Sequence, residues 1–272
     1  MDIFRSPLLL SSKHRKEVLL QPLFEPYGVQ LFITDGFDTD AFGTFCGSTP
    51  RAEGPKVTVR EKCLAGMAFA NQQEGLASEG SFGAHPNFPF LTINEEWLVY
   101  IDLKRHLEVY GHSTTLEVCH AQLGYQEAEQ LQSFLDNCSF GLQGLVLKDS
   151  KSGFVIEKGI QDLTILKQLL KNHPEWILET DLRAHMNPLR QKNIIAAGLD
   201  LIRRMQSRCP KCEHPDFSVA NYSGNLLCSW CQNPTESYAL LEFNCAYCNY
   251  QIIEKRKDKE VEDPQYCNSC NP

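Results

Sequence analysis

Eight cysteines crowd into the last 64 residues of this 272-residue chain, and they come as four C-x-x-C pairs. The pairs are Cys209/Cys212, Cys228/Cys231, Cys245/Cys248 and Cys267/Cys270. A two-residue gap lets both thiolates of a pair face one ion, and two pairs supply the four thiolates of a closed tetrahedral zinc site. Taken in sequence order, the spacings are C-x2-C-x15-C-x2-C and C-x2-C-x18-C-x2-C, both within the zinc-ribbon range. The sequence therefore predicts two structural zinc ions, paired in sequence order, although a crossed pairing also satisfies the spacing. Zinc that only folds a short polar tail and zinc that shapes a docking surface are both consistent with it. Trp230 and Tyr247, inside the knuckles, are expected as core residues.

A second kind of chemistry is suggested by "LASEGSFGAHP", where Glu79 stands among small residues ahead of Gly80, Gly83 and His85. Glu61, in "VREKC", lies on the preceding predicted helix. Two carboxylates from adjacent elements can share a Mg²⁺ ion, which takes one or two protein acids plus substrate phosphates. Gly80 and Gly83 would then let a phosphate pass close to the backbone. Asp38 and Asp40 could join this set, or serve only as turn residues.

Cations gather at two other places. "SSKHRKE" sets Lys13, His14, Arg15 and Lys16 near a helix N-terminus, where a bound phosphate would offset an unfavourable dipole. "ETDLRAHMNPLR" sets Asp181, Arg183, His185 and Arg190 at a strand-to-helix junction, the usual ligand position of an α/β sheet. Arginines there suit a phosphate clamp. The plainer alternatives are a solvated basic turn, a surface Glu61, and a capping Asp181 with surface arginines. No Walker loop, dinucleotide glycine fingerprint or nucleophile elbow is present.

The elements that must position these residues alternate. "PLLLSS" reads as a strand, the following residues as a helix stopped by Gly28, and "VQLFITD" as a strand. "KVTVREKCLAGMAFANQQ" is predicted helical, and "GLAS" is a brief strand that leads into the Glu79 loop. Strands rich in Val, Leu, Tyr and Trp follow up to residue 123. Two short helices and three strands precede a long helix that starts at Pro188, with Asn187 as N-cap. The predicted fold is a mixed-sheet, three-layer α/β domain over residues 1–207, followed by a small double zinc-ribbon domain over 208–272.

The composition, 42% hydrophobic and 22% charged, is that of a globular protein. No apolar run reaches the roughly 20 residues needed to span a bilayer, and no signal peptide is recognised, so a cytoplasmic location is expected. Net charge is −8, and from Cys209 onward five Lys/Arg face nine Asp/Glu. That balance argues against a nucleic-acid partner.

On "DTDAFGTF", "ASEGSFGAHP", "ETDLRAHMNPLR" and the cysteine-rich tail, in that order, the whole chain resembles an uncharacterised bacterial family of unknown function. The first ~90 residues also resemble the inosine/xanthosine triphosphate pyrophosphatases. "SSKHRK" resembles their Thr/Ser-x-Asn-x-x-Lys motif through Ser11 and Lys16, with Lys13 in place of the asparagine. "EKC" keeps the glutamate of their Glu-Asn-Ala motif as Glu61, with Lys62 in place of the amide, and "SEGS" keeps one acid, Glu79. This second resemblance implies that Glu61 and Glu79 hold Mg²⁺ and that Lys13 and Lys16 bind a triphosphate. His185, Arg183 or Arg190 would then hold the base or the leaving group.

Two functions follow as expectations. One is a Mg²⁺-dependent hydrolase of a nucleoside triphosphate or related phosphate ester, with Glu79, Glu61 and His185 catalytic and Lys13, Lys16, Arg183 and Arg190 binding substrate. The alternative is a non-catalytic zinc protein that senses a nucleotide or anion, or docks a protein partner through its ribbons.

Overall fold

The computed structural model describes residues 4–12, 15–34, 36–37 and 54–272. Lys13, Asp38 and Asp40 lie outside the described residues. The chain forms two compact units, Met1–Leu201 and Ile202–Pro272.

The first unit is built on a five-stranded sheet. Strand β1 (Leu8–Ser11) is buried throughout and pairs in parallel with β2 (Leu31–Phe32) and β3 (Glu74–Ala84). From β3 the chain runs as an antiparallel meander through β4 (Thr92–Asp102) and β5 (Leu107–Thr115), giving the order β2-β1-β3-β4-β5. Helix α1 (Lys16–Phe24) follows β1, and helix α2 (Pro55–Phe69) precedes β3.

Both faces of this sheet are covered. Leu9, Ala77, Val99 and Ile101 form one core with Val59, Cys63 and Met67 of α2. Helix α5 (Pro188–Gln206) lies with α1 on the other face. Two glycines make that approach possible. A Cβ on Gly198 would stand 2.6 Å from Leu23 of α1, and one on Gly111 of β5 would stand 2.2 Å from the Ala197 carbonyl oxygen. The result is a helix–sheet–helix sandwich with a mixed sheet.

A second sheet in the same unit is antiparallel. It takes β6 (Gln122–Gly124), β9 (Trp176–Thr180), β7 (Leu145–Asp149) and β8 (Val155–Ile160) in that spatial order. Phe134 of α3 (Leu131–Asn137) and Leu166 of α4 (Leu163–Asn172) close its core over Leu147, Trp176 and Leu178. Asp162 caps α4, its side chain accepting from the Thr164 and Ile165 N–H groups at 2.8 and 2.9 Å.

One predicted element is corrected. The stretch around Glu79 is not a loop after a brief strand, because β3 continues unbroken to Ala84, paired residue by residue with β4. The glycines suggested a break, but a strand keeps its ladder through glycine when a long partner strand lies alongside.

The second unit contains a three-stranded antiparallel meander, β10 (Ser218–Ser223), β11 (Leu240–Asn244) and β12 (Gln251–Lys255). No helix among the described residues is long and apolar enough to cross a membrane.

Candidate functional site

The meander decides how the cysteines combine. In the β10–β11 pair, Ser218 stands opposite Asn244 at one end and Ser223 opposite Leu240 at the other. Cys209 and Cys212 precede Ser218, and Cys245 and Cys248 follow Asn244, so these two pairs arrive at the same end. Cys228 and Cys231 follow Ser223 and meet Cys267 and Cys270, with Cys228 bridged to Glu262. The groups are therefore Cys209, Cys212, Cys245, Cys248 and Cys228, Cys231, Cys267, Cys270, the sulfurs of each lying within 4.8 Å of one another. This corrects the sequence-order pairing. Antiparallel strands bring alternate, not successive, pairs together.

Each group has the dimensions of a metal site. Sulfur–sulfur distances are 3.7 Å for Cys209–Cys248, 3.6 Å for Cys212–Cys245, 3.8 Å for Cys228–Cys270 and 3.6 Å for Cys231–Cys267. Four sulfurs tetrahedrally placed ~2.3 Å from zinc would stand about 3.8 Å apart. The backbone supports the arrangement. Glu213, Gln232 and Asn249, each just after a second cysteine, have φ of 60°, 61° and 55°. Beyond each of these, a carbonyl accepts the N–H of the first cysteine at 2.9 Å. The left-handed residue curls the chain around the ion position. Trp230 and Tyr247 are 78% and 66% exposed. They stand on the knuckles rather than in a core, because so small a unit leaves its knuckle tips uncovered.

In the first unit, three helices each carry one cation in line with their buried residues. Lys16 precedes Leu20 and Phe24 on α1, Lys62 lies between Val59 and Gly66 on α2, and Arg190 precedes Ile194, Ala197 and Leu201 on α5. Three- and four-residue spacing places each set on one helix face, so each cation is carried onto the sheet.

Two of these cations meet on Glu96 of β4. The Lys16 Nζ donates to Glu96 Oε2 at 3.3 Å and to Ser78 Oγ at 2.9 Å. Arg190 donates from Nε to Glu96 Oε1 at 2.6 Å and from Nη1 to the Leu182 carbonyl at 2.7 Å. Asn94 Nδ2 adds a third donor to Glu96 at 3.1 Å, and Asn193 Nδ2 holds Asn94 through its Oδ1 at 2.9 Å. Lys16, Ser78, Asn94, Glu96, Arg190 and Asn193 are each no more than 4% exposed. Burial pushes the Lys16 ammonium down to about 8, against the pull of Glu96 and with help from Arg190 and Lys62. Burial raises the Glu96 carboxyl, but Arg190 and Lys16 outweigh it and hold the group at about 2. Both partners are charged at neutral pH.

Gly80 is opposite Glu96 in the β3–β4 register. A Cβ on Gly80 would stand 2.1 Å from Glu96 Oε1, so the missing side chain makes room for this carboxylate. The expected reason, close passage of a phosphate along that backbone, is replaced by this contact.

The third cation serves the other face. Lys62 Nζ donates to Glu79 Oε2 at 2.7 Å and to the Ser78 carbonyl at 3.1 Å. Glu61, its neighbour on α2, is exposed, since adjacent helical residues point about 100° apart. The structure thus joins Glu79 to a lysine and sets Glu61 on the solvent side. His85 closes the β3–β4 turn, its Nδ1 accepting from the Asn87 and Phe88 N–H groups at 3.1 and 3.2 Å.

The turn between β9 and α5 holds the remaining predicted residues. Asp181 is buried and accepts from the Arg183 N–H and Nε at 3.0 Å. Burial lowers the pKa of His185, Arg183 and Arg15 lower it further, and Asp181 opposes them. Asn187 caps α5, its Oδ1 accepting from the Arg190 N–H at 2.9 Å. Lys16 and Arg190 therefore share one carboxylate, and Arg190 reaches back to the segment that carries Arg183 and His185. Glu96, Asn94 and Lys62 are the residues that motif reading missed. Their signal was a charged or amide side chain inside an otherwise apolar stripe or strand face.

A mixed α/β unit joined to two four-cysteine groups that fit a double zinc-ribbon-like module defines the class of protein. Residues 62–272 match the family model described as a domain of unknown function, DUF6671, and the chain belongs to that family. No curated protein and no solved structure matches the chain.

Proposed function

We propose that the first unit binds a phosphate-bearing small molecule, with Lys16, Arg183 and Arg190 as its anion-holding cations, and that the second unit carries two structural zinc ions. One observation carries the first part. Among the described residues, Lys16 and Arg190, 4% and 2% exposed, converge on one buried carboxylate, Glu96, while Lys62 is paired with Glu79 on the other face. Two cations that share one carboxylate form a positively charged cluster, which favours a second anion.

Mg²⁺-dependent hydrolysis of a nucleoside triphosphate has less support. One Glu79 oxygen already holds Lys62, and Glu61 is on the solvent side, so the pair does not fit a shared divalent ion. His185 has a lowered pKa, which suits a neutral base, yet no metal-free route to the phosphorus is defined around it. Binding without turnover is the better-supported function.

Calorimetry with inorganic phosphate, pyrophosphate and a nucleoside triphosphate panel tests this, alongside phosphate-release assays with Mg²⁺. Binding that weakens at least tenfold in Lys16→Met supports the function. If no member of the panel binds, the proposal fails. Release of phosphate or pyrophosphate with Mg²⁺ would restore the hydrolase. For the second unit, two zinc ions per chain by elemental analysis are expected.

The cysteine-rich unit also has the features of a protein-docking module, supported by exposed Trp230 and Tyr247 and by its acidic balance. In-cell crosslinking that recovers identical partners for the wild type and Trp230→Ala/Tyr247→Ala would argue against that role.

A further inference from the structure

The turn into α5 contains a buried donor that nothing among the described residues satisfies. Asn187 is 0% exposed, and its Nδ2 has no hydrogen-bond partner. The amide cannot simply be reversed. Its Oδ1 must face the Arg190 N–H to cap the helix, which leaves Nδ2 as a second, open donor at the same helix end. A buried amide donor without an acceptor is costly, and a native fold keeps one only for a reason.

The surroundings indicate what the acceptor is. Pro188 has no N–H, and the Gln191 N–H is taken by the Asn187 carbonyl at 3.0 Å. Two arginines belong to the segments that lead into α5 and α1. Arg183 is partly exposed beside Asp181, and exposed Arg15, with a left-handed φ of 58°, leads into α1. Both arginines act electrostatically on His185, two residues before Asn187. A 19-residue helix directs its positive end there as well.

We propose that this turn seats a phosphoryl group, with Asn187 Nδ2 donating to one of its oxygens and Arg15 and Arg183 neutralising its charge. The inference rests on the phosphate-binding function above and names Asn187 as the residue that selects for it. A phosphoryl group fits better than a carboxylate. It offers three acceptor oxygens and close to two negative charges, matching a separate amide donor and two guanidinium groups.

The experiment is calorimetric titration with pyrophosphate and with malonate. Asn187→Asp keeps the capping oxygen and replaces the donor with a second oxygen. Pyrophosphate binding is expected to weaken at least 30-fold in Asn187→Asp, and the wild type is expected to bind malonate at least tenfold more weakly than pyrophosphate. If Asn187→Asp folds and binds pyrophosphate as the wild type does, the assignment is overturned, while loss in Lys16→Met would leave phosphate binding standing. Equal or tighter malonate binding also overturns it. Failure of the wild type to bind pyrophosphate removes both proposals. Should Asn187→Asp not fold, Arg15→Gln/Arg183→Gln decides, because both side chains reach the surface. A tenfold or greater loss supports the site, and unchanged affinity ends it.

Discussion

Glu79 and Glu96 face opposite sides of the same strand pair. Glu79 is opposite Trp97 and Gly80 is opposite Glu96, so a shift of one residue separates the two carboxylates by the full thickness of the sheet. Glu79 turns toward α2 and meets Lys62, whereas Glu96 turns toward α1 and α5 and meets Lys16 and Arg190. The two acids therefore belong to different layers and cannot act as a carboxylate dyad.

The Lys62–Glu79 pair is buried on both sides, so removing one partner strands a charge. Lys62→Met is expected to lose about 3–5 kcal/mol of stability, and Lys62→Met/Glu79→Leu to recover most of it. Urea unfolding at neutral pH measures both. A double variant no better than the single one would show that the pair is not an isolated unit.

Gly80→Ala drives a methyl group into the Glu96 carboxylate. A cost of about 1–3 kcal/mol is expected in the wild type and less than about 0.5 kcal/mol when Glu96 is already alanine. The same cost in both backgrounds would place the strain elsewhere.

Acid should loosen the five-stranded sheet through Glu96. Its folded value of about 2 lies below the ordinary 4.5, so its contribution is complete above pH 4.5 and is lost as pH falls through 2. The shift corresponds to about 3 kcal/mol. Lys16 adds a slope of the same sign at higher pH. With a folded value of about 8 against 10.5, the unfolded chain binds more protons between those limits, and stability rises with pH across them. Hydrogen exchange at the Leu98 and Tyr100 amides between pH 5 and 3 reports the acid limb, which Glu96→Gln should flatten. An unchanged slope in that variant would exclude Glu96 as its source.

The crossed cysteine pairing has a stoichiometric signature. Cys209→Ser/Cys245→Ser removes two ligands from one group and should retain one zinc ion per chain. Cys209→Ser/Cys228→Ser damages both groups and should retain none. Sequence-order pairing predicts the reverse, so metal analysis of the two variants decides the matter.

Much of this was legible from residue types and spacing. The four cysteine pairs, the alternating α/β elements and the Asn187 cap could be read because each depends on neighbours within a few residues. Lys16 and Arg190 also stand out in the sequence, as two of four cations expected, with Lys13 and Arg183, to bind substrate. What escaped was set by strand register. Nothing local to "SEGS" says that Gly80 will face Glu96 or that Glu79 will face α2, since both depend on which β4 residue lies opposite. The same holds for the cysteines, whose partners were chosen by the direction of β11 and not by the gaps between pairs. Lys62 was noticed only as a departure from a motif, although a lysine between Val59 and Gly66 on a buried helix face already called for a buried acid.

The spans Cys209–Cys248 and Cys228–Cys270 overlap, so neither ion closes a self-contained lobe. Two ribbons joined in sequence order would behave as beads on a string, each filling or emptying on its own. Here each clasp encloses half of the other's ligands, and opening one frees the very segment that the other must hold. Filling one group should therefore favour filling the other, and the single ion kept by Cys209→Ser/Cys245→Ser should be held more weakly than in the wild type, as competition with a chelator would measure. Oxidation of a single knuckle would then loosen the second ion as well as free the first.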